Sequence, residues 1–310
     1  MLKRAILLIC LLPLADAFLT AQTAELLAAN LVVSESPVPG TSFLIHKRVD
    51  EVRVVFSATD KHGQPVAGLR AEDVTVEDNG RAASKLASFS EGPGLLLRLT
   101  FLVDTSGSMA GSFRGERAVV QRWQAQLSNY GMNVADWTSF ASKETFSETG
   151  LLDNRRPEGS TAMLDALGAE IRRSISVHEP RERRVIVLLS DGEDNLSGGS
   201  LLGVIAEAQR SNTAIYTIAA HSARLQFPGD RVLRSLSEAT GGRFFLLSDY
   251  SQADSALLQM QSDLCCAYAL SFHLPATASA EGPHTLVLRV RHRRGVMVLA
   301  RKGYVVEAAN

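Results

Sequence analysis

The stretch FLVDTSGSMAGS, Phe101 to Ser112, decides the fold. An apolar run ends in Asp104. Two serines, Ser106 and Ser108, follow at alternate positions, and a glycine-bearing turn closes the segment. Aspartate, threonine, serine and glycine all favour turns and helix caps. The segment is therefore either an ordinary strand-to-helix turn or a cluster of oxygen ligands presented at the end of a buried strand.

Working outward, the neighbouring sequence alternates continuous apolar strands with amphipathic helices. LLLRLTFLV reads as a buried strand leading into Asp104. Glu116 to Asn129 carries Val119, Val120, Trp123 and Leu127 at helical spacing, and VADWTSFA returns to a strand pattern. Ala162 to Ser176 is a second helix, with Leu164, Leu167, Ile171 and Ile175 on one side. VIVLL (185–189) and AIYTIAA (214–220) are continuous apolar strands, with a helix between them from Ser200 to Arg210. Asp230 is positioned to cap a helix ending at Gly241-Gly242. RFFLL follows, and a last helix runs from about Ser251 to Leu264. Such strands, apolar on both faces and alternating with helices, specify an α/β fold: a doubly wound, mostly parallel sheet of Rossmann-like type over residues 93–265.

The flanks use a different grammar. EVRVVFSATD alternates Val52, Val54, Phe56 and Ala58 with mostly polar neighbours, and Asn79-Gly80 is a hairpin signal. HTLVLRVRHR alternates again after residue 266. The segments 44–92 and 266–310 are each marginal as separate cores. They are expected to pair into one β-sandwich around the inserted α/β unit.

The N-terminus, MLKRAILLICLLPLADA, has Lys3 and Arg4 before an apolar stretch and an Ala15-x-Ala17 cleavage pattern. It reads as a secretory signal peptide over residues 1–17, followed by a linker over 18–43. An uncleaved anchor is the alternative. The expectation is a secreted or periplasmic protein with no stable membrane insertion after cleavage. Cys10 lies inside the signal. Cys265 and Cys266 are adjacent, either half-buried thiols at a helix end or a pair that oxidises within or between chains.

Composition narrows the function. Thirty-two basic and thirty-three acidic residues leave a formal net charge of -1, with no field suited to nucleic acid. The basic run RVRHRR (289–294) reads as a solvated strand face rather than an anionic-surface contact. GSMAG has Met109 where a nucleophile elbow needs serine, and no P-loop is present. His46, His62, His178, His221, His273, His284 and His292 show no ligand or triad spacing and read as surface or loop residues. No enzyme activity is expected.

Ligands of open parallel sheets bind beyond the carboxyl ends of the strands. Asp104 occupies one such end. Asp191, after Val185–Leu189, occupies another, and Thr161 precedes a helix on the same edge. Asp104, Ser106, Ser108, Thr161 and Asp191 are hard oxygen donors, suited to Mg²⁺ or Mn²⁺ rather than zinc.

These residues resemble a known family. D-T-S-G-S matches the D-x-S-x-S motif of von Willebrand factor A domains, and Thr161 and Asp191 stand where that family's second and third metal loops stand. The resemblance covers about residues 95–265. It implies a metal-ion-dependent adhesion site (MIDAS) in which Ser106 and Ser108 bind the ion directly, Asp104 and Asp191 act mostly through water, and Thr161 joins when a ligand is present. It further implies an adhesion module for a partner protein with an exposed Asp or Glu, whose carboxylate completes the coordination. Ser160 departs from the glycine of many relatives. The outer segments DKHGQPVAGLRAEDVTVED (60–78) and ARKGY (300–304) are similar to a group of secreted bacterial proteins with a related A domain. The competing expectations are a structural or self-associating envelope protein and a metal-dependent hydrolase.

Overall fold

The computed structural model describes residues 51–83, 85–92, 96–129, 133–142, 144–146, 156–176, 182–221, 227–274 and 282–306. The signal-peptide and linker readings, with Cys10, His46 and His178, lie outside the described residues.

Among the described residues, chain order begins with four strands: β1 (Glu51–Thr59), β2 (Val74–Asp78), β3 (Arg81–Ala82) and β4 (Leu86–Glu91). The α/β unit follows, with β5 (Leu96–Asp104), α1 (Phe113–Asn129), β6 (Asn133–Phe140), β7 (Glu144–Phe146), α2 (Met163–Ser176) and β8 (Glu182–Leu189). It continues through α3 (Leu201–Arg210), β9 (Thr213–Ala220), α4 (Pro228–Thr240), β10 (Phe244–Leu247) and α5 (Ala253–Cys265). Four strands end the described residues: β11 (Ala267–His273), β12 (Gly282–Val290), β13 (Met297–Ala300) and β14 (Gly303–Val306).

The central sheet runs β10-β9-β8-β5-β6-β7. Its first five strands are parallel, and the short edge strand β7 pairs antiparallel with β6. Alternate residues of one strand enter opposite cores because side chains alternate across a strand. Leu99, Phe101 and Val103 pack with Trp123 of α1 and with Leu257 and Met260 of α5. Leu102, Ile186 and Leu188 pack on the other face with Leu167 of α2, Val204 of α3 and Leu236 of α4. Both faces are thus covered, which is why these strands read as unbroken apolar runs.

The eight outer strands form two four-stranded antiparallel sheets, β13-β1-β11-β4 and β14-β12-β2-β3. Each sheet mixes strands from before and after the α/β unit. Val52 of β1 pairs with Phe272 of β11, and Leu286 of β12 pairs with Asp78 of β2. One apolar cluster, including Val54, Phe56, Val76, Leu270, Phe272 and Leu286, serves both sheets. Asn79 and Gly80 both have positive φ (49° and 75°), the geometry of a two-residue hairpin between β2 and β3.

Several sequence expectations are corrected. α4 starts with Pro228 in its first turn and Phe227 at its N-cap; Asp230 instead accepts from His221 Nε2 at 2.8 Å. His221 stands in the loop after β9, half-buried, whereas His284 is neither a surface nor a loop residue but part of β12. His284 is buried, stacked on Tyr304 and bonded to Asp78 Oδ1 at 2.8 Å. Cys265 and Cys266 are free and exposed rather than half-buried. Among the described residues, no helix is long and apolar enough to cross a membrane.

Candidate metal centre

Asp104 is the last residue of β5, and its side chain is fully buried. Its Oδ1 accepts from the Ser106 backbone N–H at 2.9 Å, which folds the chain back over the strand end. Ser106 Oγ and Ser108 Oγ then lie 3.1 Å apart. Ser106 is the N-cap of a short 3-10 helix, Gly107–Gly111, yet its side chain makes no capping bond. The Ser106 hydroxyl is therefore not spent on capping that turn.

A second loop, residues 156–162, is tied to the first by two backbone bonds. Gly107 N–H donates to Gly159 O, and Glu158 N–H donates to Thr105 O, both at 3.0 Å. Gly159 has φ +81°, a conformation that favours glycine, while the neighbouring Ser160 is exposed and outside it. Thr161 is buried just before α2.

The third loop leaves β8 at Ser190. Its hydroxyl donates to Asp104 Oδ2 at 2.7 Å and accepts from Gly192 N–H at 3.0 Å. Asp191 follows directly and accepts from Glu193 N–H at 3.0 Å. Thr161 holds this loop from the other side: its carbonyl accepts from Asn195 and Leu196 N–H, and its own N–H donates to Asn195 Oδ1 at 2.9 Å. Asp194 ties this loop to α2. It is half-buried and accepts from Leu164 N–H at 2.8 Å, at the start of α2, and from Ser197 N–H at 2.9 Å. The loop is further pinned where Gly192, at φ +77°, lies against Gly229 in the first turn of α4.

Asp104, Ser106 and Ser108 thus form one bonded group, and the loops bearing Thr161 and Asp191 are each tied to it. Ser190 and Asn195 hold the loops together, and sequence reading missed both. Their signal was only position: Ser190 ends an apolar strand, and Asn195 is one polar loop residue among several. Glu116 was also missed, because an acid in the first turn of a helix is ordinary. It is fully buried in α1. Tyr250 OH donates to Glu116 Oε1. Tyr250 also lines a cavity of about 490 Å³ with Gly115, Arg122 and Asp249, which reaches the end of the first loop at Ser112.

The electrostatics are those of crowded acids in a dry place. Burial lifts the Asp104 carboxyl to about 6, against hydrogen bonds from Ser106 and Ser190 that favour its charge; Asp191 adds repulsion. Burial lifts Glu116 to about 8, with Asp104 and Asp191 adding to the shift. Among the described residues, no group of three or more His, Cys, Asp or Glu side chains is arranged to hold a metal. The oxygen set here is of a different kind: two carboxylates and three hydroxyls. Hard neutral and anionic oxygens beside destabilised acids fit a small divalent cation such as Mg²⁺ or Mn²⁺.

Residues 99–259, about half of the chain, match the family profile described as von Willebrand factor type A domain. No curated protein sequence matches the chain. Among solved structures, proximal thread matrix protein 1 from the mussel byssus, with a zinc-occupied MIDAS motif, is similar at 16% identity and a TM-score of 0.46. That match covers 61% of this chain and 50% of the mussel protein, so the chain spans about half of that protein's length. A mutant of the PilB minor pilin from Streptococcus sanguinis aligns at 14% identity and a TM-score of 0.42, covering 55% of this chain and 62% of the pilin. BatB from Bacteroides thetaiotaomicron aligns at 16% identity and a TM-score of 0.39, covering 54% and 96%.

Proposed function

The chain belongs to the von Willebrand factor type A domain family, and from that premise we propose that it is an exported, non-enzymatic binding module that recognises a protein partner through a divalent cation. Asp104, Ser106, Ser108, Thr161 and Asp191 would hold Mg²⁺ or Mn²⁺. A bound ion would supply an electrophilic position for an exposed Asp or Glu of the partner. The observation that carries the reading is the bonded group of Asp104, Ser106 and Ser108, tied to the loops of Thr161 and Asp191 at the carboxyl edge of the sheet. The hydroxyls give few full charges, so an ion held there stays able to take one more carboxylate. A geometry-specific contact of that kind lets one acidic side chain anchor an interface.

In the same proposal, residues 1–17 direct export, 18–43 form a linker, and 44–92 with 266–310 carry the A domain of 93–265 as its β support.

The test is thermal melting of the mature protein and of Asp104→Ala, each in EDTA and in millimolar Mg²⁺ or Mn²⁺. At a hundred times its dissociation constant, a ligand stabilises by about 2.7 kcal/mol. The wild type should show an upward shift and the variant none. Equal melting in EDTA and metal for both proteins would refute the reading.

A further inference from the structure

Glu116 lies outside the five oxygen ligands and has no role in the scheme above. It is in the first turn of α1, eight residues beyond Ser108, and is fully buried. Its backbone N–H is used by the helix, donating to Ser112 O at 3.1 Å. One carboxyl oxygen is satisfied by Tyr250 OH. The other, Oε2, is buried and, among the described residues, has no hydrogen-bond partner. An unsatisfied buried carboxyl oxygen costs stability, and an apolar residue would pack the same space without that cost. The group lies in the electrostatic field of both Asp104 and Asp191. Two buried acids, with the half-exposed Asp191 adding to their repulsion, are costly alone and favourable around a cation.

We propose that Glu116 is a further acidic group of the cation site, acting by its charge from the first turn of the helix that follows the first metal loop, and that Tyr250 is the residue that positions it. The inference rests on the cation reading above and deepens it. With a cation bound, Glu116 gives up the proton that burial makes it hold in the metal-free protein; it then adds negative potential without taking a coordination position, so the ion keeps a place for the partner. Tyr250 sits in the 3-10 turn Tyr250–Gln252, directly before α5, so the group is held between α1 and the start of α5.

Mn²⁺ and Mg²⁺ titrations of the full mature protein by calorimetry test it, with wild type, Asp104→Ala, Glu116→Gln, Glu116→Asp and Tyr250→Phe. Glu116→Gln keeps the shape and removes the charge. It should weaken cation affinity by about tenfold or more, the range seen when outer groups of metal sites are changed. In EDTA its melting temperature should equal or exceed that of the wild type, because a buried acid has been removed. A merely structural glutamate predicts the reverse: lower melting in EDTA and unchanged affinity. Glu116→Asp should retain more affinity than Glu116→Gln, and Tyr250→Phe should fall between wild type and Glu116→Gln. Should Glu116→Gln not fold, Tyr250→Phe carries the test, and unchanged affinity in it overturns the proposal. Wild type and Glu116→Gln binding equally well would sink the role of Glu116 while leaving the cation reading intact. No binding by the wild type would sink both.

Discussion

At the scale of single residues, the buried acids make a statement about pH. An unfolded glutamate titrates near 4.5, whereas burial raises Glu116 to about 8 in the folded state. Between those values the folded protein holds a proton that the unfolded chain releases. Stability from this group is therefore complete below about pH 4.5 and is lost as pH rises towards 8. In EDTA, the melting temperature of the wild type should fall between pH 5 and pH 8 more steeply than that of Glu116→Gln (window set by the ordinary and raised values). Identical slopes would show that Glu116 titrates normally. The same residues show what sequence could reveal of the site. Asp104, Ser106, Ser108, Thr161 and Asp191 were legible because each stands at a strand end or helix start with a distinctive oxygen. Ser190, Asn195 and Glu116 were not. Their importance comes from which side chain faces which across the three loops, and that depends on tertiary placement rather than on local pattern. Asp194 belongs with them: its partner, Leu164 N–H, is thirty residues away.

At the scale of elements, the strands and helices of the α/β unit were readable because burial on both faces writes continuous apolar runs, and helical faces repeat at 3.6 residues. What escaped were β7, three residues long with no room for a pattern, and the 3-10 turn after Asp104. The start of α4 also escaped, because Pro228 rather than Asp230 sets it. That start bears on the metal centre. A Cβ added to Gly229 would lie 2.0 Å from Asp191 O, and one added to Gly192 would lie 2.5 Å from Gly229 O. The two backbones touch because neither residue has a side chain. Gly229→Ala must therefore push the Asp191 loop away from α4. It should destabilise the fold by about 1–3 kcal/mol, the usual cost of overpacking, and diminish any cation-dependent melting shift. Gly198→Ala is the control, since nothing lies within 4 Å of its added Cβ; it should stay within about 0.5 kcal/mol of wild type. Urea unfolding of the two variants decides, and equal effects would mean that the Gly192–Gly229 contact is slack.

At the scale of the whole molecule, the question is whether the α/β unit and the surrounding β sheets unfold together. The chain crosses between them twice, and β11 follows α5 after one residue. Side chains and backbone add further ties. Ser57 Oγ donates to Asp263 O, Gln259 Nε2 donates to Gly63 O at 3.0 Å, and Lys302 N–H donates to Ala239 O at 2.9 Å. Arg301 makes the most of them. Its Nη1 donates to Gln209 O at 2.6 Å, at the end of α3, and its Nη2 donates to Arg53 O at 2.8 Å, in β1. Burial holds its guanidinium down to about 10, still charged at neutral pH. One cation thus bonds carbonyls of both units, and charge-assisted bonds of this kind are worth about 1.5–3 kcal/mol each at most. Arg301→Ala leaves the Gln209 and Arg53 carbonyls to find water. It should cost about 2–4 kcal/mol in total, since the two bonds share one side chain and do not add fully. Lys302→Ala, which removes an exposed pair with Glu238, should cost under about 1 kcal/mol. The two tryptophans make the coupling measurable. Trp123 lies in α1 and Trp137 in β6, so fluorescence reports the α/β unit alone, whereas far-UV circular dichroism reports the whole chain. In urea, the wild type should give coincident transitions by both probes, the mark of one cooperative unit. In Arg301→Ala the two should separate, with part of the dichroism lost before the fluorescence changes. Coincident transitions in that variant would mean that the strand pairing and the remaining ties couple the units without the arginine. Separated transitions already in the wild type would mean that the β sheets and the A domain are independent in stability despite their shared chain path.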